Sequence, residues 1–280
     1  AAGAIAAALG PLIGGFFTTY ASWRWVFAGE VVIVIGILFL TRRMADTPPE
    51  KNVKLDMVGT LLSATGLGLL VFGILRSGSW GFVQPKPGAP EWLGLSPVIW
   101  LILAGGVALA AFIAWENRRI AEDKGALFDP TMLKNLELRG GVVSFFFMFM
   151  VQAGLFFCVP LFLSIALGLS AIETGVRLLP LSLSLLIFAA GIPRLLPDVS
   201  PRKVVRFGFM SLFAGLVLLV GLLEVGSGPE IITWPLLLAG AGLGAMASQL
   251  GSVTVSSVSD EKSGEVGGLQ NTGTQLGASI

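Results

Sequence analysis

Nine stretches of mostly apolar residues, most of them about 20 long, follow one another along the chain, and each can cross ~30 Å of hydrocarbon as a helix. That repetition leaves little choice of fold. Inside lipid the backbone must satisfy its own N–H and C=O groups, and only helices and closed barrels do so. Runs this long and without alternation read as helices rather than strands. The spans fall at residues 1–20, 23–41, 57–75, 97–115, 140–167, 172–193, 204–223, 231–258 and 265–280, separated by connections rich in Pro, Gly and charge. The expected fold is therefore all-α: a polytopic membrane bundle with the lipid bilayer as its first partner.

Composition narrows the function. Hydrophobic residues make up 54% of the chain and charged residues 12%, outside the range of soluble domains. With no histidine and a single cysteine, Cys158, the chain offers no His-ligated metal, histidine relay, zinc site or internal disulfide. It also shows no phosphate-binding P-loop, nucleophile elbow or paired catalytic carboxylates. An enzyme is not expected, nor is a cofactor or a nucleic-acid partner. The chain begins and ends inside apolar helices without a signal-peptide pattern, which reads as a piece of a longer protein.

Basic residues orient the spans. All of the 18 except Arg24, Arg76, Lys86 and Arg177 fall on one set of alternate connections. The positive-inside rule places that set, with Lys51, Lys124 and Lys203, in the cytoplasm and Lys86 outside. Trp23, Trp25, Trp80, Trp92 and Trp234 then form an outer interfacial belt.

The first span carries the run Gly10-Pro11-Leu12-Ile13-Gly14-Gly15. A mid-helix proline costs roughly 3 kcal/mol in a soluble helix, but in lipid neighbouring helices can re-satisfy the freed carbonyl. Ala6, Gly10 and Gly14 recur at i, i+4, i+8, a smooth face on which another backbone can approach closely. The expectation is a bend near Pro11 and close packing through those three residues. Whether this is only a kinked packing helix is left open by the spacing alone.

These residues also carry a resemblance. Ala6-xxx-Gly10-Pro11-xx-Gly14-Gly15 resembles the antiporter motif in the fifth helix of exporters of the major facilitator superfamily, with Ala6 where glycine is usual. Trp23-Arg24-Trp25-Val26-Phe27, Lys54-Leu55-Asp56-Met57-Val58-Gly59 and the segment from Leu127-Phe128-Asp129 to Leu136 are similar to landmarks of its 14-span drug:proton antiporter branch (QacA/EmrB-type). The resemblance covers essentially the whole chain. It implies that residues 1–41 are the last two helices of the N-terminal bundle and 42–138 two extra spans with cytoplasmic linkers. Residues 139–280 would be a C-terminal bundle lacking its last helix. The first four core helices, which hold the main proton-coupling acid, would be missing.

Ionisable and polar groups inside spans are costly and face a cavity or a partner. Glu30, eight positions into its span, is a protonatable site or a partner for a cationic drug, or else a carboxyl hydrogen-bonded to a neighbouring helix. Arg177 has Glu173 at i−4, which predicts a salt-bridged outer rim, with an outer gate or a contact to an anionic substrate as the alternative. Pro160 is expected to kink its helix, and Gln152 to hydrogen-bond either substrate or another helix. In the last span Gln270, Asn271 and Thr274 form a polar stripe that must face protein or water. Gly240, Gly242 and Gly244 are expected to make one close-packing face. Asp198, Arg202 and Lys203 resemble a degenerate cytoplasmic loop motif that latches helices in the family, though Arg194 and Pro201 stand in place of its glycines. An ordinary positive-inside loop accounts for them equally well.

The resemblance implies proton-coupled export of drugs or amphipathic metabolites by alternating access, from a bacterial inner membrane, with small molecules and protons as partners. Alternatives are a transporter of the same fold for a lipid, amino acid or siderophore, and a non-transporting scaffold or sensor.

Overall fold

The computed structural model describes residues 2–42, 56–122, 124–222, 228–255 and 263–279, and the regular structure among them is helical apart from one isolated bridge between Trp92 and Leu95. Arg43, Lys51, Lys54, Lys262 and the side chain of Ala6, all used above, lie outside the described residues. The helices are α1 (Ala2–Tyr20), α2 (Arg24–Thr41), α3 (Met57–Trp80), α4 (Pro97–Ala121), α5 (Leu136–Leu161), α6 (Ala171–Arg177), α7 (Leu179–Leu195), α8 (Pro201–Leu222), α9 (Thr233–Val255) and α10 (Ser263–Ala278). Six helices among the described residues are long and apolar enough to span a membrane, or seven if the α6–α7 pair counts as one span. The first and last expected spans are α1 and α10, of 19 and 16 residues. The chain divides into two compact units, one of Ala1–Pro48 with Gly154–Val253, the other of Pro49–Ala153 with Thr254–Ile280.

The first unit is built around α9, whose surface is mostly buried. Glycines make that burial possible. A β-carbon at Gly240 would strike the Leu181 carbonyl and Ser184 Oγ of α7, and one at Gly244 the Leu185 carbonyl. Gly242 faces α8 instead, where a β-carbon would come within 2.7 Å of the Leu212 nitrogen. The single glycine face expected from sequence is thus two faces, because residues two apart lie on opposite sides of a helix. Alpha-8 answers with its own glycines. A β-carbon at Gly208 would sit 2.9 Å from the Gly242 carbonyl, and one at Gly215 2.7 Å from that of Pro235. Where lipid removes the hydrophobic drive between helices, such close backbone approach carries the packing.

Two prolines interrupt the expected spans. The run 172–193 is broken at Leu178 into α6 and α7, which meet at 41°. Pro180 causes the break: it has no N–H for the Val176 carbonyl, and its ring would collide with that carbonyl in a straight helix. Alpha-5 runs through Pro160 and then widens into a π-helical turn, Phe162–Ala166, with Ser164 Oγ donating to the Pro160 carbonyl at 2.8 Å. The expected disturbance therefore emerges one turn later, as a change of helical pitch. Gly168, at φ +68°, turns the chain towards α6, a left-handed conformation that favours glycine. Ser170 and Glu173 then start α6 with a reciprocal capping box.

In the second unit α3 and α4 form a hairpin with a glycine seam. Gly59, Gly66 and Gly73 recur every seven residues and are all buried. A β-carbon at Gly66 would lie 2.8 Å from the Leu109 side chain, and one at Gly105 of α4 2.9 Å from the Gly66 carbonyl. The connecting loop is closed by its own bonds: Ser96 Oγ donates to the Gly81 carbonyl at 2.7 Å, the Ser96 amide to that of Val83 at 2.9 Å, and the Trp100 indole to that of Trp92 at 3.1 Å. Alpha-10 lies on α5, with Gly277 against the Phe146 carbonyl and Val266 in a cluster with Met132 and Leu138.

Candidate functional site

In the first unit a close helix contact joins α1 to α6, far apart in sequence. A β-carbon at Gly15 would fall 2.5 Å from the Ala171 carbonyl, and one at Gly175 2.7 Å from the carbonyl of Pro11. Each backbone therefore presses on a glycine of the other. A hydrogen bond crosses the contact, from the Ile172 amide to Thr19 Oγ1 at 3.1 Å. Beside it lies a cavity of about 370 Å³, bounded by Pro11, Gly14, Gly15, Thr18, Pro160 and Thr174. Thr174 is only 7% exposed and its hydroxyl has no hydrogen-bond partner among the described residues.

The face used is not the one expected. At Gly10 and Gly14 a β-carbon would meet nothing within 4 Å, whereas Pro11 and Gly15, one position on, make the contact. A shift of one residue turns a helix by about 100°, and the i, i+4, i+8 spacing defines a smooth stripe without saying which stripe meets a partner. Gly14 remains on the cavity wall. Alpha-1 is helical through Pro11.

The other sequence candidates disperse. Glu30 is exposed on α2, a helix with no buried residue. Arg177 is half-buried at the α6–α7 bend, and the expected salt bridge to Glu173 is not formed. Glu173 Oε2 instead accepts from the Ser170 amide at 2.8 Å and hydroxyl at 2.6 Å, a local cap that outcompetes a bond to a long, flexible side chain. Gln152 is half-buried on α5. On α10, Gln270 and Thr274 are half-buried, with Gln270 Nε2 buried and unpartnered among the described residues, while Asn271 is exposed. The stripe thus straddles the edge of the packed face. Asp198 is exposed on the tight connection between α7 and α8, and Arg202 and Lys203 are exposed in the first turn of α8. That turn forms without glycines because Pro201 occupies the first helical position, where a missing N–H costs nothing.

A second polar centre escaped the sequence reading. Asp56 caps α3 and is 5% exposed, while Glu116, near the end of α4, is fully buried. Asp56 Oδ1 accepts from the Gly59 amide at 3.0 Å and from the Trp115 indole at 3.1 Å, and Arg119 Nε lies 3.4 Å from Oδ2. Burial pushes the Asp56 carboxyl up, but those hydrogen bonds, the facing Glu116 carboxyl and the Arg119 charge outweigh it, and the group sits below the ordinary carboxylate value. Glu116 Oε2 accepts from the amides of Leu127 at 2.8 Å and Phe128 at 3.3 Å. Glu265 of α10 accepts from the next amide, Asp129, at 2.9 Å. Two carboxylates on two helices thereby hold three successive backbone N–H groups. The available signal was an acid at the end of each of two consecutive spans, which a hairpin brings together.

Comparison with known proteins agrees with this architecture. The sequence profile of the Major Facilitator Superfamily matches residues 1–280. The chain is 30% identical to the tetracenomycin C resistance and export protein of Streptomyces glaucescens, aligning 98% of its own length with 48% of that protein. It is 27% identical to the probable actinorhodin transporter of Streptomyces coelicolor (99% and 47%) and 28% identical to a puromycin resistance protein of Streptomyces alboniger (98% and 52%). The chain spans about half the length of these relatives. Apolar spans, glycine-mediated helix packing and a profile match from end to end converge: the chain belongs to the Major Facilitator Superfamily, transporters that cross the cell membrane many times.

Proposed function

We propose that this chain is the section from the fifth to the eleventh core helix of a 14-span exporter of the QacA/EmrB type, which moves drug-like amphipathic molecules outward in exchange for protons. The reciprocal contact of Gly15 with Ala171 and of Gly175 with Pro11 carries this reading. It sets the helix bearing the antiporter-like motif against the broken α6–α7 span chiefly through backbone atoms, with the Thr19 hydroxyl accepting from the Ile172 amide. A backbone-to-backbone contact has no interlocked side chains to release, so it suits a surface that closes and reopens during alternating access. Gly10 and Gly14 are then the open flank of the same helix, available to the core helices that this reading places ahead of α1. The division at 1–41, 42–138 and 139–280 belongs to the same proposal. Relatives named for export of, or resistance to, tetracenomycin C and puromycin favour an antibiotic-like cargo.

Within this scheme Glu30 recognises cationic cargo or carries a proton. Arg177, Gln152, Gln270, Asn271 and Thr274 line the path, and Asp198, Arg202 and Lys203 form the cytoplasmic latch. The test is efflux of a cationic dye by the full-length protein in vesicles under an imposed pH gradient. Gradient-driven efflux, abolished by Gly15→Leu and selectively weakened for cations by Glu30→Gln, is expected. Efflux indifferent to collapse of the gradient would overturn proton coupling, and full efflux by Gly15→Leu at matched expression would overturn the role of the α1–α6 contact.

A further inference from the structure

The carboxyl pair at the base of the α3–α4 hairpin is used by none of the foregoing. Glu116 is fully buried, and with Oε2 committed to the amides of Leu127 and Phe128, its Oε1 has no hydrogen-bond donor among the described residues. Both Glu116 Oε1 and Asp56 Oδ2 converge on the α-carbon of Gly59, where a β-carbon would strike the two oxygens at once. Two carboxyl oxygens thus face each other, and among the described residues no group donates to Glu116 Oε1, while Asp56 Oδ2 accepts from the Trp115 indole at 3.1 Å. If both were ionised, two buried negative charges would be opposed at short range, a state that carboxyl pairs avoid by retaining one proton.

The surrounding charges decide which oxygen keeps it. Asp56 is already supplied with the Gly59 amide, the Trp115 indole and the Arg119 guanidinium, which also donates to the Gly125 carbonyl at 2.9 Å. From the segment before α5, the backbone amides of Leu127 and Phe128 reach Glu116, while Asp129 turns Oδ1 to the Thr131 amide and hydroxyl. From α10, Glu265 is bound to the Asp129 amide. Arg118, Glu122 and Lys124 pair with one another in solvent at 2.5–2.9 Å.

We propose that Glu116 binds a proton at neutral pH and donates it to Asp56, so that this pair is a proton-binding site governing the grip of α4 on the Leu127 and Phe128 amides. Removal of the proton sets two like charges against each other and drives the Glu116 side chain off the Leu127 and Phe128 amides. The site requires glycine at 59, since any side chain there would part the two oxygens.

Infrared spectroscopy of the protein in lipid nanodiscs tests the assignment. At pH 7 a protonated-carboxyl carbonyl band is expected in wild type and expected to be missing from Glu116→Gln. It should also be missing from Asp56→Asn, where the asparagine still caps α3 and its amide donates to Oε1, leaving Glu116 ionised. Hydrogen exchange reads the consequence. After correction for intrinsic rates, protection of the Leu127 and Phe128 amides should fall roughly tenfold or more once the band has titrated away in wild type, and stay level in Glu116→Gln. If either variant does not fold, titration of the wild-type band decides. No such band in wild type at pH 7, a band of equal size in all three proteins, or protection that ignores the titration would overturn the proposal.

Discussion

Alpha-2 and α3 look alike as sequences and behave differently as helices. Both are long apolar spans, and both carry glycines seven residues apart: Gly29 and Gly36 in one, Gly59, Gly66 and Gly73 in the other. In α3 every one of these glycines is buried against α4 or its capping residues, while at Gly29 and Gly36 a β-carbon would meet nothing within 4 Å. Glycine spacing is therefore permission for a contact and not the contact itself. What α3 has in addition is a partner 17 residues downstream with its own small residue at the crossing, Gly105, and a polar lock that fixes the register through Asp56, Trp115 and Arg119.

The contrast can be broken most directly by paired substitutions. Gly66→Leu drives a side chain into Leu109, including its backbone nitrogen at 3.1 Å, and should destabilise the hairpin by about 1–3 kcal/mol or more. Gly36→Leu should change stability by less than about 0.5 kcal/mol. Thermal unfolding in detergent measures both, and an equal loss in the two variants would mean that α2 has a packed partner after all. Next in size is the pair at the α1–α6 contact. Gly15→Ala places a methyl 2.5 Å from the Ala171 carbonyl and should cost about 1–3 kcal/mol, while Gly14→Ala meets open space and should be neutral. Reversal of that order would restore the face first read from the i, i+4, i+8 spacing.

A pH dependence sharpens the register lock. The folded-state Asp56 carboxyl lies below its ordinary value of 3.8, so its contribution is present above that value and disappears as pH falls through the lower folded one. Unfolding curves of wild type and Asp56→Asn should therefore differ near neutrality and converge in acid. Parallel curves down to the lowest pH would remove Asp56 from the lock. The smallest effect belongs to Glu122, whose carboxyl is held at about 2 by Lys124 and Arg118 but lies in solvent. Screening should leave Glu122→Gln indistinguishable from wild type in the same scans.

Much of this molecule was legible in its residues, and the misses share a cause. Long apolar runs set the position of nearly every helix because lipid demands internally bonded segments of a minimum length. The break at Pro180 was equally available, since a mid-span proline cannot bond its i−4 carbonyl, but it lay inside a run whose hydropathy stayed high. Interhelical faces were a different matter. Pro11 and Gly15 rather than Gly10 and Gly14 meet a partner, and Gly242 turns away from Gly240 and Gly244, because the contacting side depends on a helix more than 100 residues off in one case and on two neighbours at once in the other. The Asp56–Glu116 centre was hidden for the same reason: its indole bond joins residues 59 positions apart. The candidates chosen for being ionisable within a span, Glu30 and Arg177, proved to be the exposed and the half-buried kind.

The α3–α4 hairpin is fastened at both ends and along its middle by residues of its own: Ser96 on Gly81 at one end, Trp115 and Arg119 on Asp56 at the other, and the glycine seam between. Such a piece can complete its folding as soon as its second helix leaves the ribosome, without waiting for any later span. During synthesis it would enter the bilayer as a finished pair, and the segment that follows would emerge beside a ready anchor, the Glu116 carboxyl that takes the Leu127 and Phe128 amides. The order of translation then becomes an order of assembly, with the hairpin as the fixed post on which the next helices are hung.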